Sequence, residues 1–256
     1  MHFLFLGDSF TAGRELLDYK FYDDYPEPVK FDEQNSKFLI EWRKNAKERS
    51  KPNSWRPEHA GQDARLHSYA TKLSVLMNTE YTNLAKNGSS LERCYLELVD
   101  FVNHTSHTNI TVFIQIPTME RWLDYAKGIW KDYTVRTYYD DALEKDYFKF
   151  KIINNTDHSR FIKWYLTLES IRNFCLNNRN IKNHYFINHG VLNYVQSNYN
   201  FNDSFFKGYQ RLCEKIKSNT FHFPHTKDLN RRSFLPYGHV IEKDHEQLAI
   251  DIQSIL

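Results

Sequence analysis

Apolar runs alternate along this chain with stretches of helical period, and that alternation predicts the architecture. Phe3 to Leu6 is short and uninterrupted, the kind of run buried on both faces of a parallel sheet. From Leu66 to Met77, apolar side chains at Leu66, Tyr69, Ala70, Leu73, Leu76 and Met77 recur at helical spacing, and Thr79 to Asn83 follows as a short strand. Ser89 and Ser90 are N-cap candidates for a second helix, with Glu92 and Arg93 in its first turn and a stripe from Leu91 to Val102. Thr111 to Ile116 reads as the third strand, Ser159 to Leu176 as a helix and His184 to Asn188 as the fourth strand. Val191 to Asn200 and Phe205 to Ile216 add helical cover, and Ile241 to Leu256 is a closing amphipathic helix. Strand and helix in turn are the signature of βαβ units, hence of an α/β fold with a parallel sheet.

Three stretches lack a clear period. Residues 19–65 read as an irregular insertion with one helical piece, Ser36 to Glu48, carried by Phe38, Leu39 and Trp42. Residues 119–150 are an excursion rich in aromatics, among them Trp122, Tyr125, Trp130 and Tyr133, and Thr220 to Pro236 reads as irregular. With no repeat, linker or low-complexity tract, a single domain over 1–256 with insertions at about 19–65 and 119–150 is the economical organisation.

Composition narrows the function classes. Of 256 residues, 41% are hydrophobic, enough for one sizeable core, and 34 basic against 32 acidic residues leave a net charge of +2. That balance lacks the concentrated positive charge of a nucleic-acid or membrane partner. Three scattered cysteines, Cys94, Cys175 and Cys213, fit neither a disulfide framework nor a CxxC metal site, which points to a reducing, cytoplasmic setting. Asp8 interrupts the first apolar run too early for a signal peptide, and no stretch approaches the roughly 20 apolar residues of a membrane span. The excess of Asn, Lys and Tyr reads as coding bias. No residue pattern requires a cofactor, and the sequence sets no oligomeric state.

The chemistry gathers at strand ends. Gly7-Asp8-Ser9 breaks the first strand, which presents a serine at the carboxyl end of the sheet, where open α/β folds place their sites. An ordinary strand-to-turn junction uses the same residue types. Asn83-Leu84-Ala85-Lys86-Asn87-Gly88 follows the second strand, and Gly238-His239 precedes the closing helix, with His245 six residues on. These blocks, in this order, resemble those of the SGNH (GDSL) hydrolases. The resemblance implies a three-layer α/β/α sandwich with a flavodoxin-like parallel sheet of about five strands. It also implies an ester hydrolase working through an acyl-serine intermediate. Ser9 would be the nucleophile, His239 the general base, and the N–H groups of Ser9 and Gly88 the oxyanion donors. Asp8, Asn87, Thr118, Arg121 and Trp122 would face the substrate, and His245 would be the structural histidine that opens the last helix.

Two blocks depart from the family. Where it usually carries Gly-x-Asn-Asp, this chain reads Gln115-Ile116-Pro117-Thr118-Met119-Glu120-Arg121-Trp122, similar to divergent members that include many from phages. Gln115 or Thr118 would then supply the side-chain oxyanion donor. Pro236 occupies the position of the family's aspartate, so a main-chain carbonyl, Asp228 or Glu242 would orient His239. The expected substrate is a small-molecule or glycan ester, carbohydrate O-acetyl esters being favoured by several family branches. The competing expectation is a catalytically silent SGNH-fold protein with a binding or structural role, for instance in a phage particle. A metal site from His222, His225 and Asp228 has little behind it, because Pro224 breaks any helical ligand pair.

Overall fold

The structure, a computed structural model, describes residues 1–8, 11–12, 29–30, 37, 41, 64–86, 88–126, 129–134, 157–198, 204–223, 233–234 and 241–256. Five parallel strands form the central sheet: β1 (His2–Leu6), β3 (Glu80–Asn83), β4 (Ile110–Gln115), β7 (Ile181–Asn188) and β8 (Thr220–His222). Their spatial order is β3-β1-β4-β7-β8. Counted within this sheet alone, that is the flavodoxin-like order 2-1-3-4-5. The chain moves from β1 outward to β3 and then returns to the other side of β1 as β4. The order therefore reverses beside β1, and a crevice forms there at the carboxyl ends of the strands.

Period-two alternation in the strands builds two cores. Leu4, Leu6, Val112, Ile114 and Phe186 are buried on one face, against α2 (Leu91–His104), α3 (Asp157–Asn177), α4 (Val191–Asn198) and α5 (Ser204–Ile216). Phe3, Phe5, Phe113, Ile187 and Phe221 are buried on the other, against α1 (Tyr69–Leu76) and α6 (Glu242–Gln253). Every residue of β1 and β4 is buried, as a strand with helices on both sides must be. The result is the three-layer α/β/α sandwich. Among the described residues no helix is long and apolar enough to cross a membrane.

Three segments depart from the expectation drawn from the sequence. Thr220–His222 is the fifth sheet strand, paired with Phe186 to Asn188, although Thr220 to Pro236 reads as irregular. Three residues are too few for a period to register, and only the neighbouring strand makes them one. Within the aromatic excursion, β5 (Arg121–Ala126) and β6 (Ile129–Thr134) form an antiparallel hairpin, with Trp122 opposite Tyr133 and Tyr125 opposite Trp130. Finally, β2 (Val29–Lys30), from the first insertion, pairs with β9 (Ser233–Phe234) from the segment before the closing helix. The helical piece expected over Ser36 to Glu48 lies outside the described residues except for Lys37 and Glu41.

Candidate active site

The carboxyl end of β1 is built around a glycine that only a missing side chain permits. At Gly7 (φ 154°), a Cβ would lie 2.7 Å from the Gln115 Cβ, 2.8 Å from its Oε1 and 2.8 Å from the Thr11 Oγ1. The chain can therefore fold down onto Gln115, the last residue of β4. Asp8 follows, wholly buried, and its carbonyl accepts from the Ala12 N–H at 2.9 Å, closing a turn across residues 8–12. Gln115 holds this turn from beneath. Its Oε1 accepts from the Asp8 N–H at 3.2 Å, the Thr11 N–H at 3.0 Å and the Thr11 hydroxyl at 2.8 Å. Its Nε2 donates to the Asp8 carboxylate, which also accepts from the Arg121 guanidinium. Arg121 Nη1 reaches the Ser89 carbonyl as well, at 3.4 Å.

Gln115, Asp8 and Arg121 are thus bonded to one another beneath the turn. A buried carboxylate requires such a partner, because an uncompensated charge in the interior is strongly unfavourable.

A second wall comes from β3. Past its end the chain keeps its pairing with β1, with Leu84 N–H donating to the Phe5 carbonyl at 2.9 Å and Lys86 N–H to the Gly7 carbonyl at 3.2 Å. Ser89 N–H then bonds the Lys86 carbonyl at 3.1 Å, closing a turn whose third residue is Gly88 at φ 80°. That left-handed conformation favours glycine. Ser90 caps α2, its Oγ accepting from the Arg93 N–H at 3.2 Å. Past β4, Thr118 is half-buried in a turn closed by Arg121 N–H at 3.3 Å. The backbone of Trp122 enters the hairpin one residue later.

The closing helix reaches the same turn through Tyr69. The Nδ1 of His245 accepts from the Tyr69 N–H at 3.1 Å, and the two rings lie parallel, 10° apart, while Phe223 meets His245 edge-on. At the other end of Tyr69, its hydroxyl lies 3.2 Å from the Thr11 Oγ1. Because Thr11 donates its only hydroxyl hydrogen to Gln115, Tyr69 must be the donor here. Burial pushes the Tyr69 phenol far above its usual range, so the hydrogen stays in place. Asn83 Nδ2 bonds the Thr11 carbonyl at 3.2 Å, completing the frame. Glu242 pairs with Lys72 at 2.8 Å, and Glu246 joins that pair at 3.0 Å.

Sequence reasoning missed Thr11 and Tyr69 as site residues. Thr11 lies inside the first block, but Tyr69 looked like one more apolar position on its helix. Ser9, Asn87, Asp228 and His239 lie outside the described residues. At the end of β7, Asn188 is buried and engaged. Its Oδ1 accepts from Gly190 N–H at 3.0 Å and Leu192 N–H at 3.2 Å, and its Nδ2 lies 3.2 Å from His222 Nδ1. His222 itself stands on β8 rather than on a helix.

The sheet order and the helices on both of its faces define a flavodoxin-like α/β/α fold, with its switch point at the carboxyl end of β1. Solved structures similar to this chain include a protein assigned to the G-D-S-L lipolytic family from Desulfitobacterium hafniense, 9% identical over 100% of this chain and 99% of that one, with a TM-score of 0.49. A member of the lipolytic G-D-S-L family from Veillonella parvula is 10% identical over 100% and 98%, with a TM-score of 0.46. An acetyl xylan esterase from the rumen bacterium Butyrivibrio proteoclasticus is 12% identical, with a TM-score of 0.48, and matches all of this chain over 63% of its own length. No protein-family model and no curated protein matches the sequence.

Proposed function

We propose that this protein is an SGNH-type serine hydrolase of ester bonds, with Ser9 as nucleophile and His239 as general base. The observation that carries the reading is the clamp on the Asp8–Ala12 turn at the switch point. Asp8 and Thr11, on either side of Ser9 in the sequence, are bonded to the buried Gln115 amide, and Asp8 also to Arg121, and a nucleophile gains most from well-held neighbours. Two peptide units separate Ser9 from Thr11, and two separate His239 from Ile241 at the foot of the closing helix. The Thr11–Tyr69–His245 bonds join those two regions.

In the reaction, His239 takes the Ser9 hydroxyl proton as Oγ attacks the ester carbonyl. The N–H groups of Ser9 and Gly88 receive the oxyanion, with Thr118 beside them. His239 returns the proton to the departing alcohol, and water activated by the same imidazole then releases the acid from acyl-Ser9. Gln115, Asp8 and Arg121 act by holding the turn. A main-chain carbonyl, Asp228 or Glu242 orients His239, while Asn87 and Trp122 form the rim. The substrate class is a small-molecule or glycan ester, carbohydrate O-acetyl esters first, on the resemblance of the sequence blocks. Scattered free cysteines fit a cytoplasmic setting.

A second reading, an SGNH-fold protein that binds without catalysis, is favoured by Pro236 at the family's aspartate position. Labelling with a fluorophosphonate probe separates the two. Covalent labelling that disappears in Ser9→Ala supports the hydrolase; a folded wild-type chain that takes no label, and releases no acetate from acetylated sugars, supports the silent protein.

A further inference from the structure

We propose that His2, His107 and Glu80 form a binding site for a divalent transition metal of the zinc class, at the amino-terminal edge of the sheet. This is the opposite end of β1 from the Ser9 turn, so the site is independent of the hydrolase reading. His2 opens β1 and stands in register with Glu80, which opens β3. His107 lies in the connection that leads into β4, and the His2 N–H is bonded to the Asn109 carbonyl of that connection at 2.8 Å. One donor atom from each of the three side chains lies within 4.8 Å of the other two.

The state of His2 is what calls for a ligand. Its side chain is buried, with 6% exposure, and its Nε2 lies 3.0 Å from the Thr82 Oγ1. Its Nδ1 is also buried and has no hydrogen-bond partner. Buried polar atoms are ordinarily satisfied, and an orphaned imidazole nitrogen beside a second imidazole and a carboxylate is in the company that metals select. In the tautomer whose Nε2–H donates to the Thr82 hydroxyl, Nδ1 presents its lone pair. An outer-shell acceptor on the other ring nitrogen is what metal-binding histidines usually have.

Two imidazoles and one carboxylate are a donor set zinc commonly takes, with water completing the shell. Bonds to such an ion are about 2.0–2.2 Å, so the three donors must close in. His2 is held by Thr82, but Glu80 is exposed and His107 half-buried, so both are able to turn. The His2 and His107 rings stack at 3.9 Å, 16° from parallel, and binding replaces that stack with edge-on approach of His107 to the ion. The ion would tie β1, β3 and the entry to β4 together.

The test uses the full chain without a histidine tag, stripped with a chelator and titrated with Zn²⁺ by calorimetry and with Co²⁺ by absorbance. The expected result is saturation at one ion per chain and a higher melting temperature with Zn²⁺. His107→Ala and Glu80→Gln should each weaken binding by about tenfold or more, and Thr82→Val should weaken it less. His2 is too buried to be the first variant made. Failure to saturate at one equivalent, or equal affinity in wild type, His107→Ala and Glu80→Gln, overturns the proposal.

Discussion

The Arg121 guanidinium donates to the Asp8 carboxylate across 113 residues of sequence, and the carboxylate is completely buried while the arginine keeps one-fifth of its side chain in solvent. That pair joins the end of β1 to the start of the hairpin, next in sequence to Ser9.

Removing Arg121 strands a buried charge. Arg121→Ala should cost about 3–5 kcal/mol of stability, read as a shift of the urea midpoint. Adding Asp8→Asn should recover part of that loss, since the neutral amide needs no cation. If the double variant is as unstable as the sum of the singles, the pair is not coupled.

Two glycines should respond differently to alanine. A Cβ at Gly7 meets three atoms at 2.7–2.8 Å, so Gly7→Ala should cost roughly 2–4 kcal/mol through overpacking and strain. At Gly88 nothing lies within 4 Å of the added carbon, leaving only the left-handed backbone penalty of about 1–2 kcal/mol. Thermal melts of both variants give the order directly.

Tyr69→Phe removes the hydroxyl that donates to Thr11 while Thr11 keeps its bond to Gln115. The expected loss is about 1 kcal/mol, with hydrolysis of an ester substrate slowed in kcat and KM little changed. Thr11→Val should be worse, because it leaves the buried Tyr69 hydroxyl without its acceptor. A larger effect from Tyr69→Phe than from Thr11→Val contradicts this order.

Burial, aided by Arg172, holds the His184 imidazole below its ordinary value of about 6.5. The unfolded chain therefore binds a proton that the folded chain resists, and stability must fall as pH drops through about 6.5 toward the folded value. Above that pH the residue contributes no such loss. Urea midpoints measured from pH 5 to 8 should show the decline, and His184→Phe should flatten it; an unchanged slope removes His184 as a cause.

The fold was legible because its signals are local. Phe3 to Leu6, Thr111 to Ile116 and the stripe of α2 each carry their period within a few residues, and alternation of strand and helix implies a parallel sheet. Strand β8 was not legible, since Thr220–His222 becomes a strand only by pairing with β7. The hairpin was hidden because aromatics are abundant throughout the chain, so the Trp122–Tyr133 pairing shows only in the register of the two strands.

At the site, residue types alone marked Gly7, Asp8, Gly88 and Gln115 as worth attention, because a strand-ending turn and a left-handed glycine leave a chemical trace in the chain. What those groups touch was decided by the crossovers. They bring β4 beside β1, so that Gln115 lies under Thr11 and Arg121 reaches Asp8. They also bring the closing helix against α1, so that Tyr69 links His245 to the same turn. Hydrogen bonds between residues far apart in sequence depend on where the sheet places each strand end, and no local pattern encodes that placement.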